Sequence, residues 1–206
     1  MKKALLLIIF TVLFEATFAQ KTQNLSDTAF VEVTQIDNSI LLDIRYATTN
    51  NFMKKVIYPC GKCLLRKKVA HALSAAQADF KAKGYRIKIY DGYRPHSAQW
   101  KLWENTPNKN YVADPKKGSM HNRGAAVDLT LVDQNGKELD MGTPYDFFGK
   151  EAHINYTKHS KEVLANRKLL AQILKKHGFG TTKTEWWHFS YRKQSYTISN
   201  NPLPCN

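Results

Sequence analysis

The feature that most constrains this chain is the run Ser119–Asp128, Ser-Met-His-Asn-Arg-Gly-Ala-Ala-Val-Asp, continued at once by Leu129-Thr130-Leu131-Val132. The apolar, β-branched continuation reads as a buried strand. His121 and Asp128 are both common metal ligands. Their odd separation aims them to opposite faces of a regular strand. They converge on one ion only if the backbone bends between them, and Gly124 permits such a bend. Without it, the same residues read as a surface histidine and an aspartate ending a loop.

A second stretch supplies the context. Thr184-Glu185-Trp186-Trp187-His188-Phe189 sets a glutamate three residues before a histidine in an aromatic run. His121, Asp128 and His188 together make a three-ligand site that leaves the fourth tetrahedral position for water. Glu185 is then the general base that takes the water's proton. The plainer reading is a core strand, since aromatics favour strands. A strand would also separate Glu185 from His188, so the catalytic reading needs a turn here as well.

Met1–Ala19 carries two lysines, an apolar run from Ala4 to Leu13 and small residues ending in Ala19. This is the pattern of a secretory signal peptide cleaved before Gln20. The apolar run is short for a membrane span, so a retained anchor is the lesser alternative. Residues 20–206 are expected to form a single domain, exported to the periplasm or secreted, with no stable membrane insertion after cleavage. The net charge of +14 comes from scattered lysines and arginines without a nucleic-acid motif. An anionic envelope setting accounts for it, and no nucleic-acid partner is expected.

Three cysteines, Cys60, Cys63 and Cys205, cannot build a Cys₄ zinc site. In an exported chain a disulfide is expected. Either the Cys60/Cys63 pair closes, or Cys205 ties the tail to one of them.

The remaining pattern alternates helices and strands without a regular βα repeat. Ser39–Arg45 and Tyr85–Tyr90 read as strands, and Leu64–Lys83 and Lys161–His177 as helices with one apolar stripe each. Gly84 and Gly178 close those helices. Pro95 suits the N1 position of a short helix. Asn135-Gly136 marks a hairpin with a return strand near Lys137–Leu139. Arg94, at a strand end, is placed to bind a carboxylate or a developing oxyanion. Asp146 either orients a ligand or closes a structural hydrogen bond. His71 and His177 read as structural, and His96, His153 and His159 as capping or surface groups. The expected fold class is α+β, a small, mostly antiparallel sheet with flanking helices.

In order along the chain stand Tyr46-Ala47-Thr48 with Asn51-Phe52, Asp91-Gly92-Tyr93-Arg94-Pro95, the Ser119–Leu131 run, Met141-Gly142 with Asp146, and Glu185-Trp186-Trp187-His188. Together they resemble the D-Ala-D-Ala dipeptidases, the VanX-like zinc metallopeptidases. The resemblance runs from about Ile40 to Tyr191. It implies an α+β fold with one zinc per chain in a cleft on the sheet, held by His121, Asp128 and His188. It also implies Glu185 as catalytic base, Arg94 as the transition-state arginine, Ser119 and Tyr46 at the substrate, and a small D,D-dipeptide as the partner. A D,D- or L,D-carboxypeptidase acting on stem peptides and a non-catalytic zinc-containing wall-binding module are the alternatives.

Overall fold

The computed structural model describes residues 25–106 and 108–205. The signal-like segment Met1–Ala19 lies outside them. In order, the elements are β1 (Phe30–Glu32), the one-turn helix α1 (Val33–Ile36), β2 (Leu41–Leu42), β3 (Leu64–Arg66), α2 (Lys67–Lys81), β4 (Arg86–Asp91), α3 (His96–Asn105), β5 (Ala126–Val132), α4 (Lys161–Lys176), β6 (Phe179–Thr181) and β7 (His188–Tyr191). Five strands form one sheet in the order β2-β4-β5-β7-β6, while β1 and β3 make a separate ladder. Among the described residues, only the β2–β4 pair is parallel. The α+β expectation, with a mostly antiparallel sheet, is met.

β5 is buried at every position, as the central strand of a covered sheet must be. Leu129 and Leu131 share a face with their cross-strand partners Ile89 and Ile87, all fully buried. Val69, Leu73, Ala76 and Phe80 of α2 form the matching stripe, and Val163, Leu170, Ile173 and Leu174 do so on α4. Each large side chain so buried contributes about 1.5–3 kcal/mol. Gln77 interrupts the α2 stripe but is satisfied, since its Oε1 accepts the Ile87 amide at 2.8 Å. The Ser160 hydroxyl caps α4 by accepting from the Val163 amide, and Lys175 and Lys176 suit its C-terminal dipole.

Two irregularities on this frame shape the site. The register slips between Ile89 and Asp91, so Tyr90 is an extra residue and Asp91 stands opposite Asp128. Such a bulge re-aims a side chain, and here it turns Asp91 to the face that carries Asp128. Before β5, a 3-10 turn (His121–Arg123) ends at Gly124 with φ 65°, the bend the sequence requires. The Phe30 ring fills the space a Cβ on Gly124 would take.

Several boundaries differ from expectation because pairing partners lie far off in sequence. Leu64–Arg66 is a strand, not the first helical turn, because β1 claims its backbone. The strand expected over Ser39–Arg45 narrows to Leu41–Leu42 and passes into a 3-10 turn at Arg45–Ala47. Pro95 caps α3 rather than opening it. The return after Gly136 is a single bridge, Val132 to Glu138. His71 is exposed on α2, whereas His159 is half-buried and bonds the Glu151 carbonyl through Nε2. Cys60 and Cys205 form the disulfide, and Cys63 is a buried free thiol. Among the described residues, no helix is long and apolar enough to cross a membrane.

Candidate active site

Asp128 and His188 are direct cross-strand partners of β5 and β7. Antiparallel partners project to the same face, which brings His188 Nδ1 to 3.0 Å from Asp128 Oδ1. The turn at His121 delivers the third group, with Nε2 3.1 Å from His188 Nδ1 and 3.3 Å from Asp128 Oδ1. His121 Nδ1 donates to the Gly92 carbonyl at 2.8 Å, which leaves Nε2 as the lone-pair nitrogen. His188 turns its other nitrogen to the Ser190 hydroxyl at 2.8 Å. Tyr145 donates to the second oxygen of Asp128 at 3.1 Å.

This donor set fits a metal ion. Ligands about 2.0–2.1 Å from a tetrahedral zinc lie roughly 3.3 Å from one another, close to the separations here. Two imidazoles and a carboxylate crowded together also call for positive charge between them. Burial opposes that charge on His121, yet the charge and hydrogen bond of Asp128, with the charge of Asp91, raise its pKa. Burial likewise works against ionised Asp128, but the two imidazoles outweigh it and hold the carboxyl well below the usual range.

Arg94 is anchored from three sides. It donates to Asp91 Oδ2 at 2.6 Å, to Gln99 Oε1 at 2.8 Å and to the Tyr58 hydroxyl at 3.4 Å. Asp91 is fully buried and also accepts from the Tyr58 hydroxyl and the Gly92 amide. Its Oδ2 lies 3.6 Å from His121 Nδ1, so one carboxylate ties the arginine to the imidazole. Burial disfavours the guanidinium charge, but Asp91 and then the surrounding tyrosines outweigh it and Arg94 stays protonated. Gly92 lies too close to Cys63 Sγ for any side chain, since a Cβ there would sit 2.5 Å away.

Glu185 precedes β7. β7 starts only at His188, and the turn at Trp186-Trp187 swings Glu185 back toward His121, Asp128 and His188. Its Oε2 is 4.0 Å from His188 Nδ1. Burial, opposed chiefly by His188, pushes its pKa up to about 7.

A cavity of about 390 Å³ joins these groups, lined by Tyr46, Arg94, Ser119, His121, Asp128, Asp146, Glu185 and His188 among others. That size is at the small end for ligand sites. Every residue singled out from the sequence for the site therefore opens on one space. Asp146 joins them, at φ 60°, accepting from the Tyr46 hydroxyl at 3.2 Å. Its pKa stands well above the carboxylate range, first through burial and then through Asp128. Asp91, Tyr58, Gln99 and Tyr145 were not anticipated. Asp91 opens the run that holds Arg94, and Tyr145 directly precedes Asp146, but only the bulge and the tertiary packing give them partners.

The family model described as D-ala-D-ala dipeptidase matches residues 26–204. The chain belongs to this family. Two curated relatives, both D-alanyl-D-alanine dipeptidases, carry the family likeness over nearly their full length. The one from Escherichia coli (strain K12) is 36% identical over 183 residues, 88% of this chain and 95% of the relative. The one from Enterococcus faecalis (strain ATCC 700802 / V583) is 30% identical over 194 residues, 82% of this chain and 95% of the relative. Among solved structures, the LdcB LD-carboxypeptidase matches with a TM-score of 0.42 and 25% identity, covering 62% of this chain and 59% of that one.

Proposed function

We propose that this family member is a zinc-dependent dipeptidase that hydrolyses D-Ala-D-Ala in cell-wall peptide turnover. The observation that carries the reading is the meeting of His121, Asp128 and His188 with Glu185 and Arg94 on one cavity of about 390 Å³. His121, Asp128 and His188 would hold one zinc ion, which when bound would supply a Lewis acid to acidify water and polarise the scissile carbonyl. Glu185, with a pKa near 7, takes a proton from the attacking water onto its carboxylate and returns it to the leaving amine. Arg94, held rigid by Asp91, Gln99 and Tyr58, faces the charge that develops on the carbonyl oxygen. Asp146, whose raised pKa falls when a cation sits beside it, and Tyr46 hold the free ammonium of the dipeptide, and Ser119 its free carboxylate. The protein acts after export, in the periplasm or as a secreted enzyme. The signal-like Met1–Ala19 and the Cys60–Cys205 disulfide support this, since disulfides persist in oxidising compartments.

The test is release of D-alanine from D-Ala-D-Ala by the purified chain, as isolated, after chelation and after zinc is restored, beside a pentapeptide stem. Hydrolysis of the dipeptide that chelation abolishes and zinc restores is the expected result. Trimming of the stem with the dipeptide untouched would move the protein to the carboxypeptidases. No cleavage of either by folded, zinc-loaded protein would leave it a binding module.

A further inference from the structure

Three aromatic rings close the cavity from loops distant in sequence. Phe52 follows the 3-10 turn at Arg45–Ala47, Tyr111 ends a 3-10 turn after α3, and Phe148 stands two residues past Asp146. Phe52 meets Phe148 edge-on with centroids 5.1 Å apart, and Phe148 stacks on Tyr111 at 4.8 Å. Phe52 also packs edge-on against Tyr46 at 6.3 Å, and Tyr46 donates to Asp146. The rings therefore continue in contact from the Tyr46–Asp146 pair, and all of them line the cavity. Phe148 contacts both of the other rings, so the three brace one another.

We infer that Phe52, Phe148 and Tyr111 form an end wall that restricts the enzyme to peptides whose penultimate residue carries a free amino group. The inference rests on the dipeptidase reading above and names what sets its substrate length. When the ammonium sits at Asp146, anything joined to that nitrogen must pass Asp146 into the space these rings occupy. The wall is thus a steric barrier, separate from the loss of charge that acylation brings. Truncating a ring removes the first barrier and leaves Asp146, Arg94 and the metal-ligating residues in place.

Two tripeptides isolate the effect: Gly-D-Ala-D-Ala, extended at the amino end, and D-Ala-D-Ala-Gly, extended at the carboxyl end. For wild type, Phe148→Ala, Phe148→Leu and Phe52→Ala, kcat/KM is measured on each and on D-Ala-D-Ala, with products identified by chromatography. The readout is the tripeptide-to-dipeptide ratio within one preparation, in which any inactive fraction cancels. For the Ala variants the ratio for Gly-D-Ala-D-Ala is expected to rise about tenfold or more, with D-alanine and Gly-D-Ala as products. Phe148→Leu is expected to give a smaller rise, and the ratio for D-Ala-D-Ala-Gly to stay as in wild type. An unchanged ratio in every variant overturns the inference, as does a gain confined to D-Ala-D-Ala-Gly. Wild-type protein that cleaves Gly-D-Ala-D-Ala as well as the dipeptide overturns the wall but keeps the metal chemistry. Wild-type protein that cleaves none of the three overturns the dipeptidase reading itself, and the wall with it.

Discussion

Glu185 and Cys63 are both enclosed by protein, and burial does opposite things for them. Glu185 faces the cavity, and a carboxyl with a pKa raised to about 7 is a stronger base than an exposed one. Glu185→Gln keeps the shape and removes the proton-accepting charge. It is expected to lower kcat on D-Ala-D-Ala by about 10²–10⁴ while bound zinc, measured by metal analysis, is unchanged. Full activity in the zinc-loaded variant would remove Glu185 from the role of base. Cys63 packs against Gly92 and the back of the site rather than its opening. Burial, followed by the charges of Asp91 and Glu32, raises its thiol well above the ordinary value. A raised pKa keeps the neutral form, and only the thiolate reacts. Native protein is therefore expected to resist a thiol reagent at pH 8, with one thiol reacting after denaturation. Rapid labelling of the folded chain would show that the pocket under Gly92 opens.

At the scale of elements, the residues of the site were legible in the sequence but their convergence was not. The histidine–aspartate spacing posed a problem of opposite faces, and the answer has two parts. His121 is not on the strand at all, and Gly124 at φ 65° turns the chain between them. Asp128 meets His188 because β5 and β7 are neighbours, a pairing across 60 residues that no local pattern encodes. The same holds for Asp91, which reaches the site only through a bulge, and for β3, mistaken for helix because its partner β1 lies 34 positions earlier in register. The two long helices were legible because their stripes are local, and their ends fell within a few residues of the observed ones. Gly124→Ala tests the turn. A left-handed backbone and the Phe30 ring both disfavour the methyl group. The expected loss is more than about 1 kcal/mol, which in a chain of this size lowers Tm by at least about 2–4 °C. Bound zinc is expected to fall with it, since His121 sits on the same turn. An unchanged Tm and zinc content would mean that the turn can form without glycine.

The whole molecule is drawn together at the site by its C-terminal segment. Ser199 gives its amide to the Asn122 carbonyl and receives the His96 amide, while the Tyr93 hydroxyl donates to the Asn201 carbonyl at 2.9 Å. Asn122 in turn donates from its side chain to the Arg94 carbonyl and accepts the Ser119 amide. The tail thus straps together the two segments that carry Arg94 and His121, and Cys205 fastens it to Cys60 across 145 residues. A crosslink closing so long a loop restricts the unfolded chain strongly, and losing one costs about 2–5 kcal/mol. Cys205→Ser, and wild type treated with reductant, are both expected to melt at lower temperature than the oxidised protein. Both are also expected to lose dipeptidase activity on warming before the global transition, because the strap is released ahead of the core. Thermal melts followed in parallel with D-alanine release test this. Activity and melting that stay coincident in the reduced protein would mean that the hydrogen bonds from Ser199 and Asn201 hold the strap without the disulfide, and that the crosslink acts on global stability alone.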